Sequence, residues 1–179
     1  WCLLTGGVRA QIVDKPVEIQ TLAVTRSADA ITAEYQLRIT LPRAVEDAAL
    51  RGVPLYFRAE VELFRPRWYW RDDRIARASR EWRLSYQPLT STWRVSQAGL
   101  GQTHATLAEA LATMTQASQW RVADAATADA DGRHYAEFSW RLDTSQLPRP
   151  LQIGLNNPVT GVGNDWALVV ERTVKLAPR

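Results

Sequence analysis

The sequence predicts a mainly β protein: an antiparallel two-sheet β-sandwich of about nine strands, immunoglobulin-like in general architecture, with two short helices. Three observations predict it. Most of the chain alternates apolar and polar residues with a period of two, which is typical of strands with one buried face. These segments follow one another through short polar turns, without regular helical crossovers, which favours antiparallel sheets. Eight tryptophans in 179 residues supply large side chains for a core between the sheets.

The first predicted elements are a hairpin and a helix. Residues 17–25 and 31–41 alternate on either side of a short polar turn, as the two strands of a hairpin do. Pro42 then opens a helix over about residues 43–51, because proline is tolerated in the first helical turn. Gly52 suits the position just after that helix, where the backbone turns left-handed.

The strongest alternation lies in residues 52–70, which contain the predicted central strand. One face of this strand is apolar and consists of Leu55, Phe57, Ala59, Val61 and Leu63. The other face carries Tyr56, Arg58, Glu60, Glu62 and Phe64. We expect the first face in the core and the second in solvent.

The second half of the chain predicts six more strands, at residues 75–86, 92–97, 120–123, 133–143, 151–155 and 165–176. Arg80 interrupts an apolar face, which indicates a bulge or the wet end of that face. Gly99 and Gly101 end the hairpin that precedes the second helix. That helix begins with the capping-box pattern from Thr106 to Glu109 and runs to about residue 116.

Polar segments predict the remaining turns. Asp143, Thr144 and Ser145 carry side chains that hydrogen-bond to the nearby backbone, so we expect a fixed turn there rather than a ligand contact. Residues 124–132 and the glycine-rich residues 156–164 are predicted loops.

The composition excludes several kinds of site. With one cysteine, Cys2, the chain has no internal disulfide, and two histidines leave little room for a Cys/His zinc site. We therefore expect no metal and no cofactor. The net charge is only +3, so we infer no nucleic-acid partner.

The N-terminal residues 1–10 look like the end of an export signal. An apolar tail precedes small residues, and Val8 and Ala10 fit a cleavage site before Gln11. The alternative is an ordinary N-terminal strand. We expect an exported protein of the periplasm, or of the periplasmic face of the inner membrane, with one β-sandwich domain over residues 11–179. No later segment has the roughly 18 uninterrupted apolar residues of a spanning helix.

Four motifs resemble one known family. They are Arg51-Gly52-Val53-Pro54-Leu55-Tyr56-Phe57, Arg65-Pro66-Arg67-Trp68-Tyr69-Trp70, Trp82-Arg83-Leu84-Ser85-Tyr86 and Leu142-Asp143-Thr144-Ser145-Gln146-Leu147-Pro148. Together they resemble the proteobacterial family catalogued as "domain of unknown function 4390", over nearly the whole mature chain. The resemblance implies a small exported protein without an established activity, often encoded beside a membrane sensor kinase of the nitrogen-regulation type. It implies no catalytic residues.

Candidates for catalysis are few. His134 lies on the apolar face of its predicted strand, so a buried, hydrogen-bonded histidine is favoured over a base for a nearby serine. Glu60 and Glu62 share one strand face, about 7 Å apart. Such a pair can do acid–base work on a glycan, but its alternation with Arg58 favours a solvated, charge-paired face. We therefore expect no enzyme.

The candidate binding surface is the stretch in which arginines and aromatic residues interleave. Such side chains can bind a protein, stack on sugars or meet lipid headgroups. The alternative is a strand end, with Trp68 and Trp70 buried and Pro66 blunting the sheet edge. The predicted surface consists of Arg65, Arg67, Tyr69 and Arg71, with Arg58 and Arg149 as outliers.

Three functions remain open at this point. The first is a non-catalytic protein-interaction module of the cell envelope, whose partner is an envelope or membrane protein such as a sensor histidine kinase. The second is a binder of an envelope glycan or lipid through the same basic and aromatic residues. The third is a hydrolase, which requires a pocket that holds a polarised nucleophile.

Overall fold

The structure, a computed structural model, describes residues 15–130, 132–155 and 165–178. The predicted export segment at residues 1–10 and the predicted loop at residues 156–164 lie outside these ranges. Ten strands and three α-helices lie within them.

The secondary-structure elements follow the predicted order, with three exceptions. The strands are β1 (Val17–Arg26), β2 (Ala30–Ile39), β3 (Leu55–Arg65), β4 (Asp73–Gln87), β5 (Thr92–Gln97), β6 (Leu100–His104), β7 (Gln116–Asp124), β8 (Tyr135–Leu142), β9 (Val169–Lys175) and β10 (Ala177–Pro178). The helices are α1 (Arg43–Leu50), α2 (Leu107–Ala112) and α3 (Arg149–Leu155). Of these elements, β6, α3 and β10 are not predicted by the sequence.

The strands form two packed sheets. One has four strands in the order β10-β1-β2-β7, and the other has six in the order β6-β5-β4-β3-β8-β9. Neighbouring strands are antiparallel, except that β10 pairs with β1 in parallel. The predicted antiparallel two-sheet sandwich is confirmed.

The central strand β3 carries the core, as its alternation predicts. Its five inward side chains are at most 1% exposed. Phe57 stacks on Trp140 of β8 with ring centroids 5.1 Å apart, and Tyr35 of β2 packs on Phe138 at 4.9 Å. The carbonyl of Met114 accepts hydrogen bonds from the Tyr35 hydroxyl (3.2 Å) and the Trp140 indole (3.3 Å). Both buried rings therefore have partners for their polar atoms.

The described tryptophans divide into two groups. Five are at most 5% exposed and fill the core, namely Trp82, Trp93, Trp120, Trp140 and Trp166. Trp68 and Trp70 are 94% and 74% exposed. The prediction that tryptophans fill the core is confirmed for the first group and wrong for the second.

Helix α1 ends as predicted. Gly52 has φ +92°, and the N–H groups of Gly52 and Val53 donate to the carbonyls of Ala49 (2.9 Å) and Ala48 (3.1 Å). This pair of bonds is a Schellman motif, which satisfies carbonyls that the helix leaves free. After this turn the chain enters β3 at Leu55.

The capping box of α2 is also present. The Thr106 hydroxyl accepts a 3.2 Å hydrogen bond from the Glu109 N–H, and the Glu109 carboxylate accepts one from the Ala105 N–H. The helix ends at Ala112, before the predicted end near residue 116, because the chain enters β7 at Gln116.

Strand β6 is missing from the prediction, which ends the hairpin at Gly99 and Gly101. Ala98 and Gly99 have φ +49° and +80°. Two consecutive positive φ values suit a two-residue hairpin turn, and this turn joins β5 to β6. Gly101 lies inside β6, where a Cβ atom would come within 2.8 Å of the Arg94 guanidinium.

The strand predicted at residues 151–155 is instead part of helix α3. Leu151, Ile153 and Leu155 fit an alternating strand, but five residues are too few to distinguish it from a helix. Pro150 suits the first helical turn, and Leu151 donates to the Pro148 carbonyl at 3.0 Å. Leu151 and Leu155, one turn apart, pack against the core, whereas Ile153 is exposed.

Two further predictions differ in detail. The last strand begins at Val169 and not at residue 165, and the Leu168 carbonyl before it accepts a hydrogen bond from Leu142. The pairing of β3 with β4 stays in register at Arg80, and its shift lies between Leu63 and Phe64. Arg80 therefore marks no bulge in this ladder.

Candidate functional site: an aromatic loop at the end of the central hairpin

The connection between β3 and β4 is a loop of residues 66–72, which we call the aromatic loop. The ladder of the two strands ends where Arg65 pairs with Asp73. Pro66 follows at once, and it cannot donate a ladder hydrogen bond because it has no N–H. The chain therefore leaves the sheet before its three consecutive aromatic residues.

All three aromatic side chains of this loop extend into solvent. Trp68 is 94% exposed, Tyr69 65% and Trp70 74%, and the rings of Trp68 and Tyr69 meet edge to face at 5.2 Å. At about 150–250 Å² per aromatic side chain, the three expose about 350–580 Å² together. Apolar patches of about 300–600 Å² are the largest on typical monomers and are often functional.

The base of the loop is fastened by two aspartates. Asp72 accepts a hydrogen bond from the Arg67 N–H (3.1 Å) through one carboxylate oxygen and from the Tyr135 hydroxyl (2.6 Å) through the other. Asp73 accepts a 2.8 Å hydrogen bond from the Arg67 guanidinium. The loop thus has a fixed base beneath an exposed tip.

The hydrogen bond between Asp72 and Tyr135 shifts the pKa of both groups. It raises the pKa of Tyr135 to about 12, with smaller contributions from burial and from the charges of Asp72 and Glu137. It also lowers the pKa of Asp72, with help from the Arg67 N–H. Each shift favours the state in which a phenol donates to a carboxylate.

Two residues at the end of β3 connect the base of the loop to other parts of the chain. Phe64 of β3 stacks on Tyr135 of β8, with centroids 5.3 Å apart and an interplanar angle of 14°. Arg65 pairs with Asp129 at 3.5 Å, in the segment before β8. The loop is therefore connected to a second, sequence-distant part of the chain.

One family model decides where the chain belongs. The model described as "Domain of unknown function (DUF4390)" matches residues 14–173, which include the aromatic loop. The chain belongs to this family. The resemblance inferred from the four motifs is thereby confirmed. No curated protein and no solved structure matches the chain.

The structure brings four of the six predicted surface residues of this DUF4390 chain together. Arg65 and Arg67 lie at the base of the aromatic loop, where both have acidic partners, and Tyr69 and Arg71 are exposed farther along the loop. Arg71 has no carboxylate within 4 Å among the residues that the structure describes, so its charge is available to a partner.

Arg58 and Arg149 lie elsewhere. Arg58 precedes Arg65 by seven residues, which is about 23 Å along β3. It donates a 2.7 Å hydrogen bond to Glu81 on the outward face of the sheet. Arg149 is exposed at the start of α3, beyond the turn at which the backbone N–H of Asp143 donates to the Tyr56 carbonyl. Neither residue belongs to the loop surface.

The alternative with Trp68 and Trp70 buried is wrong. The alternation that buries one face of β3 stops at Leu63, and the ladder stops at Arg65, so the next aromatics no longer belong to a sheet face. The sequence pattern also gave no indication of Tyr135 as an anchor, because it lies on another strand.

The predicted turn at Asp143 is present. Its carboxylate accepts hydrogen bonds from the Ser145 N–H (3.1 Å), the Ser145 hydroxyl (2.5 Å) and the Gln146 amide (2.9 Å). Burial by itself would raise the pKa of Asp143, but these donors and the charge of Arg58 lower it. The carboxylate is thus used to fix the turn.

The glutamate pair on β3 forms the predicted charge-paired face, with partners other than Arg58. Glu60 pairs with Arg77 at 2.6 Å, and Glu62 pairs with Arg74 at 2.7 Å. Arg77 also lies 3.6 Å from Glu62. Both carboxylates are compensated by β4, which favours a structural role.

His134 is buried, as predicted, and is only 3% exposed. Its two ring nitrogens have no hydrogen-bond partner in the described ranges, so the predicted hydrogen bond is not found there. The described residues contain no group of three or more His, Cys, Asp or Glu side chains that could hold a metal ion. No helix within them combines the length and the apolar character that crossing a bilayer requires.

Proposed function

We propose that the protein is a non-catalytic interaction module of the cell envelope that docks onto a membrane protein through its aromatic loop. The exposure of Trp68, Tyr69 and Trp70 on a fastened base carries this proposal. Tryptophan, tyrosine and arginine are the residues that dominate the energetic centres of protein interfaces. The fixed base favours binding, because the loop loses less conformational freedom when it docks.

The area of the patch indicates how far the interface extends. A stable interface buries about 800 Å² on each partner. The three rings supply about 350–580 Å², so a partner must also contact the surroundings of the loop. Arg71 beside the rings and the ion pair of Arg65 with Asp129 provide a polar rim of the kind that surrounds interface centres.

The location and the partner class rest on the sequence. The predicted export segment at residues 1–10 and the family resemblance support an envelope protein. The same resemblance makes a membrane sensor histidine kinase the first candidate partner. A partner surface with an apolar pocket and an acidic rim would match the aromatic loop and Arg71.

A lipid surface is the second candidate, and the position of the rings at a protruding hairpin end favours it. Tryptophan and tyrosine prefer the layer between lipid headgroups and water, and arginine attracts anionic headgroups. A bilayer needs no pocket to receive such a loop. Binding to purified anionic vesicles would distinguish this function from docking on a protein.

The test compares three forms of the purified chain: wild type, the double variant Trp68→Ala/Trp70→Ala, and the control Leu89→Ala. Leu89 is fully exposed in the turn between β4 and β5, so it matches the tryptophans in exposure but not in position. In capture from detergent extracts of envelope membranes, we expect wild type and Leu89→Ala to enrich the same membrane protein. The double variant should lose it.

Two results contradict the proposal. Equal enrichment by all three forms would remove the aromatic loop as the docking surface. Binding of wild type to anionic vesicles, without a protein enriched from the extract, would assign the loop to lipid.

A further inference from the structure

Arg80 places a positive charge on the face of β4 that otherwise meets the core. On this face it lies between Ala78 and Trp82, and it pairs across the ladder with the fully buried Ala59. Its guanidinium lies over the ring of Trp120 in β7, 4.9 Å from the centroid. The half-buried side chain therefore spans the space between the two sheets.

The charge of Arg80 is uncompensated within the described part of the chain, where no carboxylate lies within 4 Å of it. Arg74 and Arg77, on the outward face of the same strand, both pair with glutamates. A cation held partly away from water requires an anionic or hydrogen-bonding partner, or a space in which water or a polar ligand can reach it. Trp120 supplies part of this compensation through its ring face, but its ring accepts no in-plane hydrogen bond from the guanidinium.

An open cleft of about 610 Å³ provides this space beside Arg80. Arg80 lines it together with Glu34, Tyr35, Thr113, Gln116 and Ser118. This volume is typical of sites for small molecules.

A bulge in β7 shapes the cleft. The pairing of β2 with β7 shifts between Ala33 and Tyr35, and Gln119 has φ +51°. A residue other than glycine adopts this left-handed conformation at an energetic cost. Bulges are over-represented at sheet edges and next to active sites. This bulge lies on the edge strand β7, and its residue Ser118 lines the cleft.

We infer that this cleft is a binding site for a small organic monocarboxylate, which Arg80 holds through its guanidinium. The planar fork of a guanidinium matches the two oxygens of a carboxylate. Gln116 and Ser118 offer an amide and a hydroxyl to the rest of the ligand. Glu34 on the cleft wall disfavours anions of higher charge and favours a ligand with a hydroxyl or amine donor of its own.

This site goes beyond the proposed docking function and is independent of it. Arg80 lies seven residues from Asp73 along β4, which is about 23 Å from the base of the aromatic loop. Failure of either proposal therefore leaves the other intact.

The experiment is an NMR titration of the ¹⁵N-labelled full chain with glycolate, a hydroxy-monocarboxylate. We expect saturable shifts at the backbone amides of residues 116–119 and at the Arg80 side-chain N–H, with a dissociation constant on the order of millimolar for so small a ligand. Arg80→Met should weaken binding at least about tenfold. Arg83→Met, which removes an exposed arginine from the outward face of the same strand, should bind like wild type.

Two further measurements keep the test decisive. If the spectrum of Arg80→Met shows that this variant is not folded, Arg80→Lys is used in its place. Lysine keeps the positive charge but lacks the planar guanidinium, so weaker glycolate binding is still expected. Inorganic phosphate should bind more weakly than glycolate, and equal or tighter phosphate binding would overturn the assignment of the ligand class. Shifts that do not saturate, that sodium chloride reproduces at equal ionic strength, or that persist in the Arg80 variants would overturn the site.

Discussion

The hydroxyl of Tyr135 donates a 2.6 Å hydrogen bond to Asp72, across 63 residues of sequence. The same carboxylate accepts a hydrogen bond from the Arg67 N–H. Asp72 therefore joins the two ends of the aromatic loop and also connects the loop to β8. The loop tip therefore extends into solvent from a base that two strands hold. A base of this kind is what a docking loop requires in order to present its rings in one orientation.

Removing this anchor should loosen the loop without unfolding the domain. In Tyr135→Phe the stacking surface for Phe64 remains, but the hydrogen bond to Asp72 is lost. We expect larger fast motions of the Trp68 and Trp70 indole N–H groups in ¹⁵N relaxation measurements. Tyr56→Phe, on the outward face of β3, serves as the control and should leave both indoles unchanged. Unchanged motion in Tyr135→Phe would show that the hydrogen bond does not order the loop.

The anchor should also respond to pH in a defined direction. The pKa of Tyr135 is raised from 10.0 to about 12 in the folded protein. Its stabilising contribution is therefore fully present below pH 10.0 and is lost as the pH rises through about 12. The pKa of Asp72 is lowered, so its contribution is present above its ordinary pKa of 3.8 and is lost as the pH falls through the lower folded value.

The titration of Tyr135 can be followed through its ¹³Cζ resonance. We expect a midpoint near 12 in wild type and a midpoint closer to 10.0 in Asp72→Asn, where the carboxylate is gone. A wild-type midpoint near 10.0 would contradict the anchor.

The inward and outward faces of β3 should differ sharply in their contribution to stability. Phe57 is 1% exposed and stacks on Trp140, so Phe57→Ala should lower the free energy of unfolding by about 3–5 kcal/mol. Tyr56→Ala, on the neighbouring outward position, should cost about 1 kcal/mol or less. Urea denaturation of both variants measures the difference. Similar losses would contradict the assignment of the two faces.

The alternation in the sequence predicted those parts of the fold in which burial decides the structure. Strand β3 has one face in the core and one in solvent, so its pattern has a clear period. The short elements were harder. The turn at Ala98 and Gly99 depends on two positive φ values, and helix α3 depends on prolines near its start. Backbone φ values and prolines leave the pattern of apolar residues unchanged, so the pattern did not reveal either element.

The candidate loop was predictable in place but not in geometry. Interleaved arginines and aromatics identified the stretch, yet a strand end and a loop differ only in where the ladder stops. That point is set by Pro66 and by the partner strand. Tyr135 and Asp129 meet the loop through tertiary contacts, and a single sequence gives no signal for such contacts.

The most direct test of the docking function is photo-crosslinking in living cells, with the probe at Tyr69 and a matched probe at Leu89, followed by mass spectrometry of the adducts. Both positions are exposed on hairpin ends, and Leu89 is the more exposed of the two, so a missing adduct at Leu89 cannot be due to poor access. We predict that the probe at Tyr69 captures one membrane protein and that the probe at Leu89 does not capture it. The Arg71→Ala variant should lose the Tyr69 adduct, because it removes a charge that forms no ion pair in the described structure. Capture of lipid alone from Tyr69, or the same adducts from both probes, would contradict the account.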